Sequence, residues 1–150
     1  MKSEPDVYGI DTLKEQGKTI WDGVRNYQAR NFLKTMQVGD RAFFYHSNTK
    51  PPGIVGLMQV SQALVVDPSQ FDETGEYYDP KSSIQAPRWH TVEVEYLQTF
   101  SAAITLQNLR DRFTAEELLV VRPGNRLSVM SIDLQIAQQI LQMAQINSDN

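Results

Sequence analysis

Apolar and polar side chains alternate most cleanly between Trp89 and Phe100, as in the run Val92, Glu93, Val94. A period of two places successive side chains on opposite faces of an extended chain. One face of this segment is mostly apolar, and the other is mostly polar. We therefore predict a half-buried β-strand from Trp89 to Phe100.

Three other segments have the β-branched and aromatic content that is typical of strands. They are Arg41–His46, Ile54–Val66 and Arg126–Met130, and Gly56 is expected to mark a bulge in the second. The segment 67–88 is polar and is punctuated by proline and glycine, which predicts an extended loop. Loops of this length inside a compact protein are often functional.

Helices are predicted where apolar residues recur every three to four positions, or where a capping residue precedes such a run. The predicted helices cover Asp11–Gln16, Asn26–Met36, Leu106–Arg110, Ala115–Leu119 and Ile132–Ile146. Asp11 is expected to cap the first helix and Ser131 the last. Strands and helices without regular βαβ alternation indicate an α+β fold, with helices packed on a curved sheet or barrel.

Length and charge narrow the classes of function. A chain of 150 residues is ample for a hydrophobic core, and we predict one domain over residues 1–150. The formal net charge of −4 argues against a protein that binds nucleic acid through overall positive charge. A local basic cleft on an acidic body is still compatible with this charge.

Cysteine is absent, and the only histidines are His46 and His90. Disulfides and thiolate metal sites are therefore excluded, and a histidine-built metal site is not expected. We predict neither a metal nor a cofactor. No apolar run approaches the ~20 residues of a membrane span, and no apolar leader follows Met1. We therefore predict no membrane contact and a cytoplasmic location.

The familiar catalytic motifs are missing, including the nucleophile elbow, the Walker A loop and the H-E-x-x-H helix. His46 ends a predicted strand, and we interpret it as a structural hydrogen-bonding group. Its neighbours Asp40 and Ser47 are only a weak hint of a catalytic triad. We predict that the protein is not an enzyme.

Aromatic residues stand beside polar ones at several places: Trp21-Asp22, Tyr45-His46-Ser47 and Arg88-Trp89-His90. Aromatic faces stack on nucleobases, and asparagine and serine can read the edge of a base. Nucleobase recognition is therefore one interpretation. Burial in the core explains Trp21 and Trp89 equally well.

A short stretch near the N-terminus carries the pair Arg-Asn twice, at Arg25-Asn26 and Arg30-Asn31. Arginine holds phosphate bidentately, and the entry of a helix attracts anions. Structural roles are equally open, because Asn26 can cap a helix and Arg30 can pair with Asp22.

A longer set of motifs resembles a known family. In chain order they are KSEPDVY, WDGVRNYQARNFL, GDRAFFYHSN, GIVGLMQV, PRW and RLSVM. The set resembles the EVE domain family of the PUA-like superfamily, and it covers nearly the whole chain from Lys2 to the last helix. The resemblance implies a PUA-like β-barrel or pseudobarrel of mixed sheet, with helices packed around it. It also implies a pocket for a modified base, favouring a modified cytosine, flipped out of DNA or RNA.

Carried over motif by motif, the resemblance implies which residues form that pocket. They are Lys2, Ser3, Trp21, Val24, Arg25, Asn26, Tyr45, His46, Ser47, Pro87, Trp89, Leu127 and Ser128. Arg25 and Arg30 are the candidates for phosphate contacts. The implied partner is nucleic acid that carries a modified base, and the sequence does not indicate an oligomeric state.

Members of this family usually begin with a short aromatic strand, of the form Y-W-L, before the KSEP motif. The present sequence begins at Met1-Lys2. A strand missing at this point is expected to affect a sheet edge or an aromatic wall, and with it stability and binding.

Two alternatives stay open. The related ASCH domain shares the PUA-like barrel, and some of its members resemble hydrolases or nucleases that act on nucleotides or RNA. In that case Lys2, Tyr45, His46 and a carboxylate, Asp22 or Glu93, would line a catalytic pocket. A plain interaction module would instead expose an apolar patch.

Overall fold

The computed structural model describes residues 1–147. Its strands are β1 (Lys2–Ser3), β2 (Lys18–Ile20), β3 (Arg41–His46), β4 (Gly53–Val66) and β5 (His90–Thr105). Its α-helices are α1 (Ile10–Gln16), α2 (Tyr27–Thr35), α3 (Leu106–Arg112) and α4 (Leu134–Ile146). Short 3₁₀ turns lie at Pro68–Phe71 and Leu119–Val121.

The strands form a mixed sheet in the order β1-β3-β4-β5-β2. β1 runs parallel to β3, and the other neighbouring pairs are antiparallel. β1 and β2 occupy the two edges, so the sheet is not closed into a barrel. The predicted α+β class, with a mixed sheet and helices packed on it, is confirmed.

Both faces of the sheet are covered, because the side chains of β3 alternate between two hydrophobic cores. Phe43 and Tyr45 lie in a core with α3 and α4. Phe44 lies in the opposite core, with α1 and α2. Burial of this apolar surface is the main force that holds the helices on the sheet.

Gly56 lets β4, β5 and α1 approach closely. The pairing of β4 with β5 shifts register between Ile54 and Gly56, so the predicted bulge is confirmed. A Cβ atom at Gly56 would overlap the carbonyl oxygen of Gln98 and the side chain of Ile10. Ile10 belongs to α1, so the absent side chain also lets this helix sit directly on the sheet.

Three predicted strands are confirmed with small changes. The prediction for β3 is correct at both ends, and β4 starts one residue earlier than expected, at Gly53. β5 starts at His90 rather than Trp89 and continues beyond Phe100 to Thr105. The small residues that follow Phe100 do not alternate in polarity, so the sequence pattern predicted the end of this strand five residues too early.

The strand predicted at Arg126–Met130 does not form. Asn125 turns the chain at this point, because its Oδ1 accepts a hydrogen bond from the backbone N–H of Leu127 at 3.0 Å. The Ser128 carbonyl accepts from the backbone N–H of Lys2 at 2.7 Å. The neighbouring strand β1 is only two residues long, so it cannot support a longer ladder.

The starts of two helices also differ from the prediction. α1 begins behind Gly9 rather than Asp11, which lies in its first turn. α4 begins at Leu134 behind Asp133, so the cap predicted at Ser131 is wrong. In both helices the N-cap residue makes no side-chain hydrogen bond. The preference for a capping side chain therefore did not decide where these helices begin.

The helix predicted at Ala115–Leu119 is replaced by a turn and the 3₁₀ turn Leu119–Val121. Leu118 and Val121 are 2% and 5% exposed, and both pack in the core with α3 and α4. Side chains three residues apart eclipse one another in a 3₁₀ turn, so this geometry buries both together.

In the part of the chain that the structure describes, every helix is too short or too polar to cross a membrane.

Candidate functional site

A cleft of about 910 Å³ opens beside β1, β2 and the segment that joins β2 to α2. Its size falls within the ~300–1,000 Å³ that is typical of small-ligand sites. Further lining comes from the loop after β3, from residues 76–77, and from Arg126 and Ser128. We call this space the cleft.

The fold brings several of the predicted pocket residues together. Those that line the cleft are Lys2, Ser3, Trp21, Val24, Arg25, Ser47 and Ser128. They come from four of the motifs that suggested the family. The parallel pairing of β1 with β3 joins the first motif to the third, because Ser3 lies opposite His46.

Other predicted pocket residues lie outside the lining of the cleft. Tyr45 is buried in the core with α3 and α4. Asn26 caps α2, where its Oδ1 accepts from the backbone N–H of Ala29 at 3.0 Å. Pro87 is half-buried within residues 67–89, and Leu127 packs against the core with α1 and α2.

His46 supports α1 and does not line the cleft. Its Nε2 accepts a hydrogen bond from the backbone N–H of Ile10 at 3.2 Å, at the start of that helix. Its ring stands edge-on to Phe44, with the ring centroids 5.4 Å apart. Desolvation lowers the pKa of His46, which keeps Nε2 unprotonated and able to accept. This geometry agrees with the structural interpretation of His46.

The aromatic lining of the cleft comes from Tyr8, Trp21 and Tyr77. Trp21 is only 7% exposed, and its ring meets Phe44 edge to face with centroids 5.3 Å apart. It therefore belongs mainly to the core and presents only a small part of its surface to the cleft. Tyr8 and Tyr77 are half-buried, so they offer more ring surface.

The Tyr77 ring packs directly against the backbone of Gly23. This glycine has a φ of 83°, and a Cβ atom built on it would lie 2.7 Å from that ring. Both the backbone conformation and the available space therefore favour glycine. The contact lets Tyr77 close one side of the cleft.

Arg25 fastens the Tyr77 backbone to the rest of the site. Its Nε and Nη2 donate to the Tyr77 carbonyl at 3.0 and 2.8 Å, and Nη2 also donates to Ser69 Oγ at 3.0 Å. Its Nη1 donates to Asp67 at 3.0 Å and to the Val24 carbonyl at 2.9 Å. Each of the five guanidinium N–H groups therefore has an acceptor within the protein.

Asp67 is 1% exposed and ties the same region together. Its Oδ2 accepts from the backbone N–H of Gly23 at 2.9 Å and from Arg25, and its Oδ1 accepts from the backbone N–H of Ser69 at 2.8 Å. A buried carboxylate is costly unless it is paired and hydrogen-bonded, and Asp67 meets both conditions.

Residues 67–88 form a loop, as predicted, apart from the 3₁₀ turn Pro68–Phe71, and the buried side-chain amide of Gln70 holds this loop in place. Its Nε2 donates to the carbonyls of Asp67 and Trp89 at 2.6 and 2.8 Å. Its Oε1 accepts from the backbone N–H groups of Arg88 and Trp89, both at 3.1 Å, and from the Ser82 hydroxyl. This network gives Tyr77 a defined position.

A continuous stack of side chains joins the cleft wall to the outer face of α2. The Arg25 guanidinium lies 5.8 Å from the Tyr77 ring centroid and 5.0 Å from that of Trp89. Trp89 stacks on Tyr27 with centroids 5.0 Å apart and 11° between the planes. The Arg30 guanidinium lies 4.7 Å from the Tyr27 centroid. Trp89 is thus a buried member of this stack and does not line the cleft.

Desolvation shifts the pKa of four ionisable groups of the cleft toward the neutral form. Burial lowers the pKa of Lys2 and raises the pKa of Tyr8 and Tyr77. Asp22 is open to the cleft, yet neighbouring protein atoms desolvate its carboxyl and raise its pKa, and the charge of Asp67 raises it further. A site that disfavours charge suits an uncharged polar ligand.

The groups of the catalytic alternative do not converge. Lys2 and Asp22 line the cleft, whereas Tyr45, His46 and Glu93 lie outside its lining. Among residues 1–147, no cluster of three or more histidine, aspartate or glutamate side chains is placed to hold a metal ion.

A family model described as the EVE domain matches residues 1–143. The chain belongs to the EVE domain family. Human thymocyte nuclear protein 1 is 43% identical over 128 residues, which are 78% of this chain and 57% of that protein. This EVE domain chain therefore spans about half the length of the curated relatives it matches.

Solved structures of related proteins have the same architecture. A Pseudomonas putida protein matches with a TM-score of 0.92 and 42% identity, over 96% of this chain and 97% of that one. Human thymocyte nuclear protein 1 in complex with DNA containing 5-methylcytosine matches with a TM-score of 0.87 and 37% identity, over 96% and 95% of the two chains. The expected PUA-like pseudobarrel, with its open mixed sheet, is confirmed.

Tyr8, Tyr77 and Arg126 also line the cleft, and the sequence did not predict them. Tyr8 belongs to the first motif, from which only Lys2 and Ser3 were selected. Tyr77 lies in the long segment that was expected to be functional, but nothing in the sequence separates it from Tyr78. The contact with Gly23 is what selects it, and that contact is visible only in the structure.

Proposed function

We propose that this EVE domain binds a modified nucleobase of DNA, 5-methylcytosine, in the cleft. The observation that carries the proposal is the human relative described in complex with DNA containing 5-methylcytosine, whose structure matches over 96% of this chain. The cleft supports it with half-buried aromatic rings, polar side chains and ionisable groups that burial shifts toward their neutral forms. The base would enter as a flipped nucleotide.

Tyr8 and Tyr77 are the rings that would stack on the base. Stacking contributes about 1–3 kcal/mol for each base, and extruding a base from a duplex costs a few kcal/mol. Stacking alone therefore does not offset the cost of flipping, so hydrogen bonds to the base edge are needed as well. Trp21 would contribute a part of its ring rather than a full face.

Asp22 is our candidate for reading the base edge. Its carboxyl accepts no hydrogen bond from another residue of the described chain and is open to the cleft. A carboxylate is the natural acceptor for the N4 amino group of cytosine. Thymine carries the same methyl group but has a carbonyl at position 4, which would face the carboxylate as a second acceptor. Asp22 would therefore separate 5-methylcytosine from thymine.

The methyl group would be read by the apolar part of the lining, which includes Val7, Ile20 and Val24. Burying one methyl-sized group contributes about 0.8 kcal/mol, or roughly fourfold in affinity. The expected preference for 5-methylcytosine over cytosine is therefore modest. The edge contact should produce the larger discrimination.

The two arginines predicted to hold phosphate are given different roles. Arg25 has an acceptor for every N–H, so its role is to position the Tyr77 wall. Arg30 does not pair with Asp22; it donates to the Arg88 carbonyl at 3.0 Å and to Asn31. One N–H on each Arg30 Nη atom lacks an acceptor in residues 1–147, so Arg30 is the better candidate for phosphate.

Fluorescence anisotropy with labelled oligonucleotides tests the proposal. Each oligonucleotide would carry cytosine, 5-methylcytosine, 5-hydroxymethylcytosine or N6-methyladenine at one position, as DNA and as RNA. We expect the tightest binding for 5-methylcytosine in DNA. Equal affinity for the unmodified and modified strands would contradict the proposal.

The proposal describes a binding module in which no bond of the nucleic acid is broken or formed. Mass analysis of the oligonucleotides after incubation should return unchanged masses. A shortened or altered product would instead support the hydrolase or nuclease alternative. We retain the cytoplasm as the predicted location, because the word nuclear in the relative's name describes only that protein.

A further inference from the structure

The outer face of α2 carries positive charge without a carboxylate of its own. Arg30 and Lys34 are four residues apart, so they share one face of the helix, and α2 contains no aspartate or glutamate. Like charges at this spacing destabilise an isolated helix. The two cations therefore do not help the helix to form, and their placement suits contact with an anion.

Arg88 extends this charge beyond the helix. The Arg30 Nη1 donates to the Arg88 carbonyl at 3.0 Å, and the Arg88 guanidinium lies 5.7 Å from the Tyr27 ring centroid. Burial lowers the pKa of His90, and the charges of Lys34 and Arg30 lower it further. His90 therefore lies near both helix cations. We call Tyr27, Arg30, Lys34, Arg88 and His90 the basic face.

Much of the hydrogen-bonding capacity of this face is unused. Lys34 is exposed, and its ammonium group has no hydrogen bond or ion pair in the described chain. Arg88 donates to the Tyr27 hydroxyl and pairs with Asp79 at 3.5 Å. Asp79 is committed to the fold as well, because it accepts from Trp89 Nε1 at 2.7 Å. Among residues 1–147, Asp79 is the only carboxylate that forms an ion pair with a cation of this face. Tyr27 is 47% exposed.

We propose that the basic face binds the phosphodiester backbone of the strand whose base enters the cleft. The proposal rests on the proposed function, since it takes nucleic acid as the ligand. The stack of Arg25, Trp89, Tyr27 and Arg30 links the face to the cleft wall through packed side chains. On a chain with a net charge of −4, this local concentration of cations is suited to hold an anionic strand.

The salt dependence of DNA binding tests this surface. The double variant K34Q/R88Q removes two cations of the basic face. The double variant K14Q/R122Q removes two exposed cations outside both the face and the cleft, and it is the matched control. Each variant and the wild type are titrated into one fluorescein-labelled DNA duplex, with or without 5-methylcytosine, at several salt concentrations.

We expect K34Q/R88Q to reduce the slope of log K against log salt by about 0.9 for each lost phosphate contact. Affinity should fall by the same factor for methylated and unmethylated DNA, because phosphates carry no base identity. The control variant should keep the wild-type slope.

Two results overturn the proposal. One is a slope for K34Q/R88Q equal to that of the control, and the other is a loss of methyl preference without a change in slope. Failure of the proposed function has a different signature, in which wild-type protein binds methylated and plain DNA equally while K34Q/R88Q still lowers the slope. Absence of salt-dependent DNA binding by the wild type would overturn both.

Discussion

The ring of Tyr77 rests on the backbone of Gly23, so closely that a Cβ atom on the glycine would lie 2.7 Å from the ring. The contact joins two distant parts of the chain into one wall of the cleft. Arg25 and Asp67 hold the two parts together through hydrogen bonds. The position of Tyr77 is therefore set by a buried polar network, and its ring is available to a ligand.

Replacing Tyr77 with alanine should weaken binding of 5-methylcytosine DNA by about 5- to 150-fold, the equivalent of one lost stack of about 1–3 kcal/mol. Y77F should retain most of the affinity. The matched control is Y78A, since Tyr78 is the neighbouring tyrosine, lies outside the cleft lining and is 38% exposed. Anisotropy titrations that give Y77A and Y78A the same affinity would remove Tyr77 from the site.

Alanine at Gly23 should affect both stability and binding. The φ of 83° strains any L-residue by about 1–3 kcal/mol, and the added methyl group also displaces the Tyr77 ring. G39A is the control, because Gly39 has a φ of 93° but no atom within 4 Å of a built Cβ. Urea unfolding should show destabilisation of both variants. Only G23A should also lose DNA affinity, and normal DNA binding by G23A would contradict the proposed wall.

Removing the Asp22 carboxyl should reduce discrimination against thymine. We expect D22A to lower the ratio of affinities for 5-methylcytosine and thymine by about 5- to 150-fold, which corresponds to a base contact of about 1–3 kcal/mol. D6A removes an exposed carboxylate outside the cleft lining and serves as the control. A ratio for D22A that equals the D6A ratio would show that another group reads position 4 of the base.

His46 should make folding stability depend on pH. Its pKa in the folded protein is lowered from the ordinary value of 6.5, so the unfolded chain binds more protons. The contribution is complete above pH 6.5 and decreases as the pH falls from there through the folded pKa. Replacement by glutamine should remove this part of the pH dependence of the unfolding free energy, which lies below pH 6.5.

At neutral pH, H46Q should also cost about 1 kcal/mol for the hydrogen bond to the Ile10 N–H. The pKa of His90 is lowered as well, so H90Q should remove a separate part of the same pH dependence. The measurement is urea unfolding at a series of pH values. If the unfolding free energy of H46Q depends on pH as strongly as that of the wild type, the His46 imidazole is not held unprotonated against the Ile10 N–H.

The sequence predicted those parts of the fold that depend on local pattern. β3 was found at both ends because its segment is rich in aromatic residues, which favour strands, and this composition is a property of the sequence itself. The start of α1 and the irregular path at Arg126–Met130 depend on distant or side-chain partners. His46 accepts from the first turn of α1, and Asn125 turns the later segment. The first relationship joins residues 36 positions apart, so a window of neighbouring residues does not contain it. The second is local, but the strand-like composition of Arg126–Met130 concealed it.

The site was only partly predictable for the same reason. The family motifs led to Lys2, Trp21 and Arg25, which line the cleft. They did not show that the N–H groups of Arg25 donate to acceptors within the protein, or that Tyr77 reaches the cleft from a separate segment. That segment is arranged around the buried amide of Gln70, whose partners lie up to 19 residues away along the chain. Only the fold determines which of its tyrosines reaches the cleft.

Entry of the base into the cleft beside Tyr8, Trp21 and Tyr77 is what we propose. Photocrosslinking with DNA that carries 5-iodocytosine at one position tests it most directly, because the iodine occupies the place of the methyl group. Peptide mapping by mass spectrometry then locates the attached residue. We expect crosslinks to the cleft aromatics Tyr8, Trp21 or Tyr77. Crosslinks confined to another surface, such as the α3–α4 side near Arg112, would contradict it.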